Sequence, residues 1–349
     1  MGANTDNARV RSFAWRPAKM VDNVMHESRD GRLPVTVVVP TVGRPEWLAR
    51  CLSTLRKLSP PAECVLVVGR ADDTATRAVV DAIDDIDWAE VATGGHVDPV
   101  RVAVRECRTE YLAFIDDDGE PERSDWLLRL YEVCSREGVA LVGSRVVDPA
   151  GSLKKVRRSA GRVTFFGKPV GNTGSRSDSR AVKVDMVPEG NSMWRASILR
   201  TIPIDRLWDE DDAALYGLDL SLQAKRDGWL VMFTSAAPII HHLAPRLASA
   251  GSRSDPVHRA RVLSRNLTYI SLKHYRYRLV PFAIWSTAIG DRAFPGLASG
   301  AFIRIVMRQR GVLMASFQGR RDGFQAWRLR RFPYEPPRTV RRVRRDPPT

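Results

Sequence analysis

The chain has 349 residues, of which 44% are hydrophobic and 27% charged, and it carries a formal net charge of +15. That balance excludes wholesale disorder and suits one large domain with an appendage, or two domains. No apolar run approaches the roughly 20 residues a spanning helix needs, and an N-terminus with Asn, Asp and Arg in place of an apolar core does not read as a secretory leader. A cytoplasmic protein is expected, or one peripheral on the cytosolic face of a membrane. The cysteines, Cys51, Cys64, Cys107 and Cys134, form no CxxC pair. Buried free thiols in a reducing compartment are expected, and a cysteine-based zinc site is not.

Residues 1–33 show no sustained period and read as an extension. From Pro34 the pattern is strand, loop, helix, strand: Val35–Val39, a Pro-Thr-Val-Gly-Arg-Pro loop, a helix over 46–58, and the run Cys64–Val68 ending at Gly69. Continuous Val/Leu strands separated by helix-length segments imply a parallel sheet covered on both faces, with functional groups at the strands' carboxyl ends. Tyr111–Ile115 is another such strand. A helix over 125–137 and a strand over 139–142 follow, and 148–183, rich in Gly, Ser, Lys and Arg, reads as a surface excursion. The loop Glu189-Gly190-Asn191-Ser-Met-Trp194-Arg comes next, then the acidic run Asp209–Asp212. A helix over 218–226, a strand over 229–233 and the pair His241-His242 complete an α/β domain assigned to 34–245.

Beyond it, 246–330 reads as a helical region studded with Arg and aromatic residues, and 331–349 as a basic, disordered tail broken by proline. The apolar stretches Leu279–Trp285 and Phe302–Met307, flanked by Arg and Tyr, suit packing on the domain and shallow docking at an anionic membrane surface equally well.

The strand Tyr111–Ile115 ends in Asp116-Asp117-Asp118. Three carboxylates at the end of a buried strand require a cation opposite them. Hard oxygen ligands of this kind suit Mg²⁺ or Mn²⁺. Carboxylates at a sheet edge would repel phosphate unless metal intervened, so no nucleic acid is expected despite the positive charge.

Taken in order, the Pro-Thr-x-Gly-Arg loop, Phe-Ile-Asp-Asp-Asp, Glu-Gly-Asn-Ser-Met-Trp-Arg, the acidic helix ending in Gly-Trp and the late His pair resemble the inverting glycosyltransferases of family 2. The resemblance covers about residues 34 to 245. It implies a GT-A-type, Rossmann-like sandwich with a mostly parallel central sheet, here with a C-terminal helical extension. It also implies transfer of a sugar from a nucleoside-diphosphate sugar (UDP, GDP or dTDP) to a hydroxyl on a glycan or lipid-linked acceptor.

By that resemblance, Asp118 ligates Mn²⁺ or Mg²⁺, Asp116 holds the ribose, the sugar or the metal, and Asp117 assists. Either His241 or His242 completes the metal shell. Thr41, Gly43 and Arg44 are placed against the nucleoside and Arg101 near the diphosphate, while Glu189, Gly190 and Asn191 face the acceptor and the transferred sugar.

An inverting enzyme needs one carboxylate as general base, which in the family usually lies in a Glu-Asp pair at the start of the acidic helix. Here that segment is Leu215-Tyr216-Gly217-Leu218-Asp219. Counted forward from Tyr-Gly, Asp219 is the base, with Asp212 and Asp211 in reserve. Counted backward from Gly228-Trp229, Gly217 stands where the base belongs. A nucleotidyltransferase would also hold Mg²⁺ on strand-end carboxylates, but it would open with a Gly-rich loop and a lysine. A non-catalytic basic binder of membranes or polyanions is the other alternative.

Overall fold

A computed structural model describes residues 31–91, 97–149, 161–171, 180–209, 213–244, 255–305, 309–329 and 342–343. Most of the N-terminal extension, Asp211, Asp212 and nearly all of the basic tail lie outside the described residues.

The first half alternates strand and helix: β1 (Leu33–Pro40), α1 (Pro45–Leu55), β2 (Ala62–Arg70), α2 (Thr74–Asp81), β3 (Ile86–Val91), α3 (Asp98–Glu106) and β4 (Tyr111–Ile115). Then come β5 (Gly119–Pro121), α4 (Trp126–Cys134), β6 (Val139–Gly143), β7 (Val146–Val147), β8 (Arg162–Val163), β9 (Pro169–Val170) and β10 (Val182–Lys183). The second half holds β11 (Asn191–Arg195), α5 (Ala196–Leu199), α6 (Tyr216–Arg226), β12 (Leu230–Phe233) and β13 (Ile239–His241). Four helices follow, α7 (Pro256–His274), α8 (Leu279–Ile284), α9 (Leu297–Ile305) and α10 (Val312–Leu329), and the two-residue strand β14 (Arg342–Val343) pairs antiparallel with the edge strand β3.

The main sheet runs β10-β12-β6-β11-β4-β1-β2-β3-β14. The β1–β2, β1–β4, β2–β3 and β6–β12 pairs are parallel. Strand side chains alternate between faces, so the continuous apolar runs feed two cores at once. Val38, Leu66, Val68, Leu112 and Phe114 enter one buried cluster, together with Tyr269 and Ile270 of α7. Val37, Val39, Val67, Ala113 and Ile115 enter the other, under α1 and α4. The start of the C-terminal region is thus fastened to the sheet.

The segment 191–195 departs from expectation. Read as loop, it is instead the strand β11, inserted antiparallel between β4 and β6, with Asn191 opposite Ile115 and Arg195 opposite Tyr111. Asn-Ser-Met-Trp-Arg lacks the β-branched run that marks a strand, and its conformation is imposed by the two strands beside it. The excursion over 148–183 contains the short hairpin β8–β9 and edge strand β10 among its described residues. None of the four cysteines is in a disulfide, and Cys64 alone of them is only partly buried.

Candidate active site

Strand β4 is buried along its whole length and delivers the three aspartates at its carboxyl end. The chain then turns into β5, which pairs antiparallel with β13 so that His241 lies opposite Gly119. This register carries the histidine to the aspartates, and the His242 N–H donates to the Asp118 carbonyl at 3.0 Å. His241 Nε2 stands 3.2 Å from Asp118 Oδ1 and 3.4 Å from Asp116 Oδ2. One ligand atom from each of Asp116, Asp118 and His241 lies within 4.8 Å of the others.

The electrostatics suit a cation. Burial pushes the Asp118 carboxyl up, but the hydrogen bond and charge of His241, the Ala244 N–H and Arg44 outweigh it and hold Asp118 at about 2. Hydrogen bonds to Asp116 and Asp118 raise the His241 imidazole to about 9 against the cost of burial. The Asp118 carboxylate therefore faces an imidazolium, and a divalent ion that displaced its proton would fill the same role. The donor set, two carboxylates and an imidazole with Asp116 half exposed, fits Mn²⁺ or Mg²⁺.

His242, the other histidine of the pair, points elsewhere. Its Nε2 is 3.0 Å from Glu120 Oε1 and its ring lies against Trp47. His241 ends β13 and His242 follows it, and their side chains turn to different partners, which separates two histidines that the sequence leaves equivalent.

Asp117 faces inward from the metal group. Its Oδ2 accepts from Thr41 Oγ1 at 2.8 Å and its Oδ1 from Arg44 Nη1 at 2.8 Å. Burial raises its carboxyl to about 6, with Arg44 and Thr41 opposing the rise. Thr41 and Arg44, expected against the nucleoside, thus use side-chain groups to tie the β1–α1 loop to the end of β4. Gly43, at φ 64°, turns this loop, and its N–H donates to Asp73 at 2.5 Å.

The Glu189-Gly190-Asn191 turn enters from the other side. A Cβ at Gly190 would lie 2.2 Å from Asp116 Oδ2, so glycine is required for the turn to close on the metal group. Glu189 Oε1 accepts from the Gly217 N–H at 2.9 Å, at the start of α6. A Cβ at Gly217 would fall 2.5 Å from Glu189 Cγ, so the Glu189 side chain fills the space that any side chain at 217 would need. Glu189, Gly217, Ser192, Trp194 and Tyr216 together line a cavity beside β4.

Three expected residues are committed elsewhere. Asn191 is fully buried: its Oδ1 accepts from Trp126 Nε1 at 3.0 Å and its Nδ2 donates to the carbonyls of Arg145 and Ala237. It pins β11 to its surroundings instead of facing a sugar. Arg101 is gripped by Asp98 at 3.0 Å and Asp209 at 2.5 Å. Asp219 is fully buried, and its two oxygens meet Trp208 Nε1 (3.1 Å), Gln223 Nε2 (3.2 Å), Lys273 Nζ (2.9 Å) and His274 Nε2 (2.6 Å). Burial alone would raise this carboxyl, but His274 and Lys273 outweigh burial and hold it below the usual range. No open base stands at Asp219 in this structure, since the carboxylate fastens α6 to the end of α7.

Lys273 and His274 lie far from every motif in the sequence. Their only signal was a Lys-His pair in the last turn of a basic helix, which ordinarily reads as a solvated C-terminus.

A mostly parallel sheet with an Asp-rich turn, a glycine turn and a strand-end histidine converging at its carboxyl edge defines a GT-A-type, nucleotide-sugar-dependent glycosyltransferase. Residues 36–202 match the profile of glycosyl transferase family 2. No curated protein matches it by sequence.

Among solved structures it is similar to the mannosyltransferase PcManGT from Pyrobaculum calidifontis, in complex with GDP-Man and Mn²⁺. The TM-score is 0.51 at 14% identity, covering 86% of this chain and 88% of that one. It is similar to S. aureus TarS 1–349 in complex with UDP-GlcNAc, with TM-score 0.51 at 15% identity over 84% and 89% of the two chains. GalNAc-T7 with UDP, GalNAc and Mn²⁺ gives 0.53 at 11% identity over 74% of this chain and 51% of that one.

Proposed function

We propose that this chain is a metal-dependent inverting glycosyltransferase that moves a sugar from a nucleoside-diphosphate sugar to an acceptor hydroxyl. The observation that carries the metal is the convergence of Asp116, Asp118 and His241 within 4.8 Å. Bound there, Mn²⁺ or Mg²⁺ would neutralise the charge that develops on the diphosphate leaving group. Asp117, Thr41 and Arg44 hold the strand end rigid beneath the ligands. Gly190 lets the sugar-side turn approach them. The similar structures bound to GDP-Man and UDP-GlcNAc support a nucleotide-sugar donor without distinguishing its base.

Inversion requires a carboxylate on the acceptor side, and we place it at Glu189 in preference to Asp219. Asp219 would have to abandon Lys273 and His274 to take a proton. Glu189 is exposed, sits one residue from the glycine that packs on Asp116, and occupies the space left open by Gly217. Its side chain replaces, from the β11 side, the carboxylate that family members carry on the helix. The reading is tested by release of nucleoside diphosphate from a panel of UDP-, GDP- and dTDP-sugars with and without Mn²⁺. Turnover that ignores both metal and Asp118→Ala would overturn it.

A further inference from the structure

Helix α8 runs directly into a π-helical turn over Trp285–Ile289. Its inner side is buried, with Phe282 and Trp285 packed on Phe294 and Leu267. Its outer side presents Val280, Ala283, Ile284, Thr287, Ala288 and Ile289, all exposed and none charged, at spacings of three and four residues. Helix α9 repeats the arrangement: Gly300 and Ile303 face in, while Leu297, Ala298, Ala301, Phe302 and Ile305 face out, with Arg304 the single charge among the exposed positions. A solvent-facing helix ordinarily shows the reverse pattern. Helix α10 is mixed, exposing Gln318, Arg321, Gln325 and Arg328 alongside Met314, Phe324 and Leu329.

A third apolar element joins these two. Phe165 and Phe166, 63% and 47% exposed, form the tip of the β8–β9 hairpin. The hairpin is held beside α8 by Arg278, which donates to the Thr164 carbonyl, and by the Lys168–Asp291 ion pair at 2.6 Å. The surrounding charge has one sign. Residues 256–329 contain 13 Lys and Arg against two acids, Asp291 and Asp322. Both acids are neutralised, by Lys168 and by Arg261. Apolar side chains flanked by arginine and aromatic residues are complementary to an interface of acyl chains beneath anionic headgroups.

We propose that the outer face of α8 and α9, with the Phe165–Phe166 tip, docks on an anionic phospholipid membrane. The inner side of the same unit packs on the residue that leads into α6. Leu215, which precedes α6, packs on the cluster of Phe282, Trp285 and Phe294, and two residues later Gly217 binds Glu189. Docking would therefore present the acceptor side of the site to a membrane-borne substrate, a lipid carrying the acceptor sugar. That last step rests on the transferase reading above, while the docking itself does not.

The test is co-sedimentation of the full chain with vesicles of phosphatidylcholine containing 30% phosphatidylglycerol, and with vesicles of phosphatidylcholine alone, at two salt concentrations. The wild type should pellet with the anionic vesicles, less at high salt. Ile284→Asp/Phe302→Asp should weaken binding at least about tenfold, and Phe165→Ala/Phe166→Ala severalfold. All the changed side chains are exposed, so melting temperature and the metal-dependent thermal shift with nucleoside diphosphate should not move. Wild type remaining in the supernatant, or both variants pelleting like wild type, would overturn docking. So would a concentration-dependent dimer, seen by size-exclusion chromatography, that Ile284→Asp/Phe302→Asp abolishes, because the face would then belong to a second copy. Loss of the nucleotide response with vesicle binding intact would instead fault the transferase reading.

Discussion

His274 Nε2 lies 2.6 Å from Asp219 Oδ1, so the acidic residue nearest the family's base position is locked to a histidine 55 residues away. Lys273 holds the other oxygen, and Trp208 and Gln223 complete the set. Asp219→Asn should therefore act first on stability. Breaking a buried ion pair from one side costs on the order of 3–5 kcal/mol, so the melting temperature should fall by several degrees or more. A variant that melts like wild type but has lost turnover would restore Asp219 as the base.

The pH dependence of folding follows from the same carboxylate. Its folded pKa lies below the unfolded value, so its contribution is fully present above the ordinary carboxylate range and is lost as pH falls through the folded pKa. Wild type should lose stability on acidification at pH values below about 4, and Asp219→Asn should lose less over that window. Denaturant titrations at a series of pH values measure the difference.

At the proposed metal site, His241→Ala and Asp118→Ala should each reduce metal-dependent turnover by about 100-fold or more, because each would remove a ligand. His242→Ala, whose ring faces Glu120 and Trp47, should change it by less than about tenfold. Equal losses in the two histidine variants would mean that the register of β13 against β5 does not select the ligand.

Gly190→Ala tests the closeness of the turn. A methyl group 2.2 Å from the Asp116 carboxylate must displace either the turn or the ligand. The loss should appear as weakened Mn²⁺ dependence in a titration of activity, with thermal stability reduced by about 1–3 kcal/mol at most.

Glu189→Gln removes the proposed base while keeping an oxygen for the Gly217 N–H. Turnover should fall by roughly 10²–10⁴-fold with donor binding retained. If kcat is unchanged and only acceptor KM rises, Glu189 positions the acceptor and the base must be sought elsewhere.

The sequence by itself determined the sheet and the position of the aspartate triplet at its carboxyl edge. Uninterrupted runs such as Val35–Val39 and Tyr111–Ile115 can be buried only as central strands, and a carboxylate triplet at the end of one can persist only beside a cation. The tertiary structure decided what the remaining polar residues do. Whether His241 or His242 meets the aspartates depends on where each side chain turns at the end of β13, and the pairing of His241 with Gly119 of β5 sets that. Asn191 and Asp219 resemble ligand-facing residues in one dimension, yet their partners arrive from Trp126, Arg145, Ala237, Lys273 and His274, separated from them in sequence by 46 to 65 residues. A buried polar side chain is defined by the donors and acceptors packed around it, and those contacts exist only once the chain has folded.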